Sequence, residues 1–405
     1  MERSWRSPLV VIAAGCVIAM VGFGVRSVFG LFQEPVTLHH GWNREVFALA
    51  LAVQNLLWGL GVPVAGMIAD RFGPSRVIIF GAIVYAVGIW AMSVVETGTM
   101  FILAAGVLVG LGVAFTAFSL ALASMARVVV AERRSFVLGL GTAAGSFGQF
   151  VFSPNAQFAI SLFEWQGALM VLAAASLVMI PLAVILPAPS PAVDEAVHDQ
   201  GMRDAIVEAG RHSGYVLLTL GFFVCGFQIA FITVHFPAFV TGSGFSPSVA
   251  AWSLGLVGAF NIVGCLLAGV VGQRWSKRYS LSAIYFLRAV LIAALMLAPM
   301  THATILLFAG CMGLIWLATV PLTSGIVAQV FGTRYMATLF GIVFFSHQAG
   351  SFIGVWLGGR LFDATGSYDV IWWISAVLGL LACLVHLPIN ERPLARLAVA
   401  PQRGA

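Results

Sequence analysis

Twelve apolar stretches, each bounded by charges, Pro or Gly, divide the chain near 8–34, 45–69, 76–95, 99–126, 135–160, 166–186, 214–240, 247–272, 279–299, 303–330, 335–359 and 370–389. Each is apolar all round rather than alternating, so each reads as a helix long enough to cross a bilayer and not as a barrel strand. A helix is the form in which a spanning segment satisfies its own backbone groups. The first run is too long for a cleaved leader and passes directly into the second without a small-residue cleavage site, so it reads as the first helix. The longest polar interval, 187–213, carries Asp194, Glu195, Asp199, Asp204 and Glu208, with a short surface helix expected over 203–212. It reads as a cytoplasmic linker between a six-helix unit at 1–186 and a second at 214–405.

The two units repeat. Gly66-Met-Ile-Ala-Asp70-Arg71-Phe-Gly73-Pro-Ser-Arg76 follows the second stretch, and Gly269-Val-Val-Gly272-Gln-Arg274 follows the eighth, 203 positions later. Ala144-Gly145-Ser146-Phe147 returns as Ala349-Gly350-Ser351-Phe352, and Gly106 as Gly310, offset by 205 and 204. Duplicated units of this kind place a substrate site between the halves near the bilayer midplane.

Composition agrees with the pattern. Of the 405 residues 60% are apolar and 9% charged, against about 25% charged in soluble domains. That excludes a soluble enzyme, a nucleic-acid binder and a disordered scaffold. The net charge of +5 is therefore read as topology. Sixteen of the 20 basic residues fall on the face that bears both termini, Arg44 and Arg360 fall on the other, and Arg26 and Arg288 lie within spans. By the positive-inside rule both termini are cytoplasmic. The five cysteines are scattered through the spans and suggest packing, with neither a disulfide nor a zinc site. No phosphate-binding loop or nucleophile–base motif is present, so neither an enzyme nor direct use of ATP is expected, and no cofactor is implied.

On the repeat and on the G-x-x-x-D-R-x-G-x-x-R run, the chain resembles the major facilitator superfamily over its whole length. The resemblance implies an all-α integral membrane fold of twelve helices in two pseudo-symmetric six-helix bundles. It also implies alternating access, with Gly66, Asp70, Arg71, Gly73, Arg76, Gly269 and Arg274 as a conformational switch, against the plainer reading of these bases as positive-inside anchors. Gly24-Val-Arg26-Ser27, Gly41-Trp42-Asn43-Arg44, Gln54-Asn55, Ser346-His347-Gln348 and Gly366-Ser-Tyr368-Asp369 look like the bacterial branch related to monocarboxylate and oxalate/formate transporters. The chain departs from that pattern in span eight, which offers Asn261 and Cys265 in place of a substrate-binding Arg, and in span four, where Gly106 stands in place of a coupling Arg.

All 15 acidic residues lie outside the depth of the spans, with Glu34 nearest, whereas two arginines lie within them. A net-positive interior disfavours a cationic cargo and favours an anion, because an unpaired buried guanidinium is costly and a carboxylate completes it bidentately. Arg26 shares a helix face with Gly22, Gly30 and Gln33, and competes with a reading in which it snorkels to the outer headgroups. Arg288 lies in a span that the fold makes peripheral, where a structural bond to carbonyls is as natural as substrate contact. His347, Gln348 and His235 are candidates for substrate or proton, with interhelical bonding as the alternative. Gln54, Asn55, Gln149, Gln228 and Asn261 add amides that together suit a small polar ligand, though each alone is more often a bond between helices, and Trp316 before Pro321 suggests a bent pathway helix or plain packing. Met296, Met300 and His302 have soft-metal spacing, but Pro299 interrupts the helix there.

The first reading is a secondary transporter taking up a small organic anion, a monocarboxylate in class, with a proton as coupling ion. It is expected to be a monomeric, multi-pass protein of the bacterial inner membrane that touches the lipid bilayer and no nucleic acid. An exporter of amphipathic metabolites or drugs is the alternative. A copper importer and a non-transporting receptor are lesser ones.

Overall fold

The computed structural model describes residues 7–129, 131–187, 201–332 and 335–394, and the side chains of Asp70, Phe118, residues 131–136 and Ala337 lie outside the description. The described residues are helical throughout, with no strand among them. We label the long helices α1 (Pro8–His40), α2 (Arg44–Phe72), α3 (Pro74–Val94), α4 (Gly98–Arg127), α5 (131–163), α6 (165–183), α7 (Ser213–Gly242), α8 (Pro247–Arg274), α9 (Lys277–Leu297), α10 (His302–Phe331), α11 (Met336–Thr365) and α12 (Asp369–His386). Eleven apolar segments are long enough to cross a membrane, and the longest, ending at Ala183, holds two crossings. The chain breaks within it at Glu164, with φ 58°. Twelve crossings therefore stand where the apolar pattern predicts twelve. A short helix, Met202–Arg211, precedes α7; residues 188–200 of the linker lie outside the described residues.

Local sequence sets the ends. Pro8, Pro74 and Pro247 occupy first turns, where a missing N–H costs nothing. Gly73 alone joins α2 to α3 at φ 90°, a conformation that a side chain resists. Four helices are interrupted, α6 by a turn at Val178. α1 tightens into a 3-10 turn at Phe29–Phe32. α4 carries a π segment at Ile102–Leu108 and a break at Thr116 and Ala117. α10 breaks between Leu314 and Thr319.

Four helix pairs make the densest contacts. α7/α11 and α1/α5 lie within the halves, and α2/α11 and α5/α8 join them. Glycine makes the first pair possible. A Cβ on Gly226 would stand 1.8 Å from the His347 carbonyl oxygen, and one on Gly350 2.0 Å from that of Phe223. The Gly350-x-x-x-Gly354-x-x-x-Gly358 stripe thus lies against α7, as small-residue spacing leads one to expect. Large apolar side chains such as Leu60, Trp90, Leu266 and Leu297 remain exposed on the outside of the bundle, the surface a lipid-facing wall requires.

Candidate functional site

Arg26 sits one residue before the end of the regular part of α1, where the Ser27 hydroxyl turns back to the Gly24 carbonyl at 2.7 Å. Because α1 continues to His40, Arg26 lies near the middle of the segment and not at its outer end. Its guanidinium points into the bundle. Nη2 donates to Asn55 Oδ1 of α2, and the group lies over the Trp58 ring, 4.3 Å from its centroid. Asn55 is oriented by its own bond from Nδ2 to the Leu51 carbonyl at 2.8 Å, which leaves Oδ1 to face Arg26. Gln54 donates to the Ala105 carbonyl at 3.2 Å, pinning α2 to the π segment of α4.

Two water-sized cavities of about 10 Å³ flank the guanidinium. The first is lined by Gln54, Asn55 and, from the other half, Ala230, Thr233 and Val234. The second is lined by Gly22, Phe23, Trp58 and Thr116. Arg26 Nε is buried without a hydrogen-bond partner, and among the described residues no carboxylate pairs with Arg26. The site is thus a cation held by a neutral amide and an aromatic face, with a donor to spare.

α11 closes the same region from the C-terminal half. Trp58 meets Phe344 edge-on at 5.5 Å, and Gly59 faces Gln348 so closely that a Cβ would stand 2.7 Å from its Cβ. His347 stacks on Phe344 and donates from Nδ1 to Gln348 Oε1 at 3.1 Å. Gln348 Nε2 is buried and unpartnered. Arg26, Gln54, Asn55 and Gln348 therefore gather around one stretch of α2, while His347 packs against Phe222 and Gly226 of α7.

The other expected residues lie elsewhere. Gln149 donates to the Leu254 carbonyl at 3.1 Å and Asn261 to Ser146 Oγ at 2.9 Å, both across the α5/α8 seam. Gln228 turns to the Ser375 carbonyl of α12. Arg288 donates through Nη2 to the Ile315 carbonyl at 2.7 Å and to that of Trp316, holding the break in α10 on which Trp316 is buried. Arg71, Arg76 and Arg274 are exposed at the ends of their helices, Gly66 and Gly269 meet no neighbour that a Cβ would touch, and the Asp70 side chain lies outside the described residues.

Gln33 and His235 belong to an outer cluster that also takes in residues with no chemical signal in the sequence. His235 Nε2 donates to the Val355 carbonyl at 2.8 Å, so Nδ1 accepts from Gln33 Nε2 at 3.1 Å. The Tyr368 hydroxyl donates to Gln33 Oε1 and receives from Arg44 Nη1 at 2.9 Å. Burial pushes that hydroxyl up to about 12, against the pull of Arg44, so it stays a neutral donor. Asn43 makes no side-chain cap at the start of α2. Asp363 of α11 takes that place from the opposite half, accepting from the backbone N–H of Arg44 at 3.0 Å and of Glu45 at 2.7 Å. Glu45 in turn accepts from Trp356 and pairs with Arg360 at 3.0 Å. Beside the cluster, Thr241 of α7 donates to Glu34 of α1 at 2.6 Å, at the edge of a crevice of about 390 Å³. These hydrogen bonds tie the two halves together at this outer end.

Comparisons with known proteins fit this architecture. The sequence model of the Major Facilitator Superfamily matches residues 14–355. The chain is 27% identical to Monocarboxylate transporter 13 of Bos taurus over 394 residues, covering 93% of the chain and 89% of that relative. It is 24% identical to the uncharacterized MFS-type transporter YcxA of Bacillus subtilis (strain 168), covering 98% of each. A bacterial homolog of the human lysosomal transporter Spinster, solved in an inward-facing and occupied conformation, has the same fold: TM-score 0.74 at 13% identity, covering 95% of this chain and 97% of that one.

Proposed function

The chain belongs to the Major Facilitator Superfamily and is a membrane transporter rather than an enzyme, and from that premise we propose that its cargo is a small organic anion of the monocarboxylate class, taken up with a proton by alternating access. The observation that carries the reading is Arg26: a cation beside a cavity lined by both halves, whose partners among the described residues are an amide oxygen and a ring, with Nε buried and unsatisfied. A charge held so is poised to take up a carboxylate, which offers two oxygens to a guanidinium fork. His347, with Gln348 Nε2 unpartnered beside it, supplies the further donors from the opposite half. The curated relatives named as monocarboxylate transporters support the same class.

In this reading the outer cluster is a latch. Opening the outer face requires Asp363 to leave the start of α2 and Gln33 to part from His235. The anion is then released to the cytoplasm from the latched state and loaded from the unlatched one. An inward-negative potential opposes entry of an anion alone, and a symported proton cancels that charge.

The experiment is uptake into proteoliposomes. With acid outside, a radiolabelled short-chain monocarboxylate accumulates faster than at equal pH, and Arg26→Gln abolishes the accumulation. Uptake that ignores the gradient removes proton coupling, and normal uptake by Arg26→Gln removes the anion site.

A further inference from the structure

Arg288 is 1% exposed in the interior of the second half. Its Nε and Nη2 reach the carbonyls of Ile315 and Trp316, and its Nη1 donates to Cys225 Sγ at 3.3 Å. The carbonyls are neutral. Among the described residues no carboxylate pairs with this arginine, so the one acceptor able to carry a compensating charge is the sulfur. Cys225 is itself fully buried and lies 3.2 Å from the Thr319 hydroxyl. Tyr285 of α9 lies beside the thiol, as does His347 of α11.

The duplication explains where this arrangement sits. Gly22, Tyr85 and Thr116 of the first half correspond to Cys225, Arg288 and Thr319 of the second, since 225 − 22, 288 − 85 and 319 − 116 all equal 203. In the first half Tyr85 donates to the Gly22 carbonyl at 3.5 Å, a neutral contact at the α4 break. In the second half the same frame holds a cation and, at the glycine position, an ionisable thiol. A cation placed there alone would be left uncompensated in a low-dielectric interior, which costs several kcal/mol after relaxation.

We propose that Cys225 is held as a thiolate by Arg288 and forms a protonation site within the second half, whose ligand is a proton. The inference stands apart from the anion site at Arg26. The groups facing the sulfur are Arg288 and Tyr285 of α9, Thr319 of α10 and His347 of α11; His386 of α12 stacks on Tyr285 at 4.9 Å without reaching the sulfur. Thr319 then donates to sulfur. On acidification a sulfur lone pair takes a proton from solvent, an S–H bond forms, nothing is oxidised or reduced, and Arg288 loses its counter-charge. Such a site lies beside His347 at the α7/α11 contact, so its charge state bears on packing within the second half, whose α11 also meets α2 of the first.

The S–H stretching band of the whole protein, read by Raman spectroscopy in lipid, tests this. The chain has five cysteines. At neutral pH the band of the Cys225→Ser variant should match that of the wild type, because the replaced sulfur bore no proton. Acidification should enlarge the wild-type band and leave that of the variant unchanged, and Arg288→Gln should enlarge it at neutral pH. Loss of about one fifth of the band in Cys225→Ser at neutral pH overturns the inference. Should Arg288→Gln fail to fold, the Cys225→Ser comparison still decides, and Cys225→Ala replaces it if the serine variant is unstable. Failure of anion uptake alone would leave the band as expected.

Discussion

Arg26 is held in place by short-range features that the sequence does not announce. The break after Ser27 aims it inward, the Asn55 amide is fixed by its own helix, and Trp58 offers a face. That an arginine lies in the first span is legible in the sequence, as is its company of Gln54 and Asn55. Trp58 and Phe344 are not, because an aromatic in an apolar helix carries no mark of the face it presents. Charge-assisted hydrogen bonds contribute about 1.5–3 kcal/mol, so Arg26→Gln should weaken anion binding on the order of 10- to 100-fold while leaving the fold intact. Arg26→Lys keeps the charge but loses the planar stack and the fork, and should retain an intermediate affinity in the same binding assay. Gly226 is a second residue with a sharp expectation. A methyl group there would collide with the His347 carbonyl at 1.8 Å, so Gly226→Ala should lower the melting temperature, by an overpacking cost of about 1–3 kcal/mol. Gly341, where a Cβ would meet nothing within 4 Å, is the matched control, and Gly341→Ala should leave the melt unchanged.

Among the elements, α2 and α11 decide the conformation on display. Their outer ends share one capping device: the carboxylate of Asp363 sits at the N-terminus of α2, where backbone N–H groups and the helix dipole favour an anion. The exposed Arg360–Glu45 pair adds little by itself. A side-chain cap is worth about 0.5–2 kcal/mol, enough to bias a two-state equilibrium without locking it. Asp363→Ala should therefore raise the population open to the outside. A cysteine placed at Thr233, beneath the latch, should react faster with a membrane-impermeant maleimide in that background than in the parent; an unchanged rate would remove the latch role. Span limits were close to legible: the pattern near 247–272 corresponds to Pro247–Arg274. The outer ends of α1 and α11 run about six residues further than the apolar pattern, to His40 and Thr365. In the added turn of α11, Asp363 and Arg360 find partners at the start of α2 in the opposite half. A reading based on hydropathy stops where those partners begin.

At the scale of the molecule, two six-helix halves joined by α2/α11 and α5/α8 form a frame whose interior holds arginines and no deep carboxylate. The repeat and the charge bias are visible in the sequence because both are linear patterns. Which polar residue meets which is not, because packing within the second half brings together Arg288 and Cys225, 63 residues apart in the chain. Asn261 and Gln149, for which the sequence leaves both a ligand and a bond between helices open, bridge the α5/α8 seam.

The central claim is that the Arg26 guanidinium recognises a carboxylate. Thermal stabilisation of the purified protein by a short-chain carboxylate and by its neutral amide, which has nearly the same shape, tests it most directly. The carboxylate should raise the melting temperature, the amide should not, and in Arg26→Gln the two should become indistinguishable. Equal stabilisation by both in the wild type, or an undiminished preference for the carboxylate in Arg26→Gln, would contradict the account.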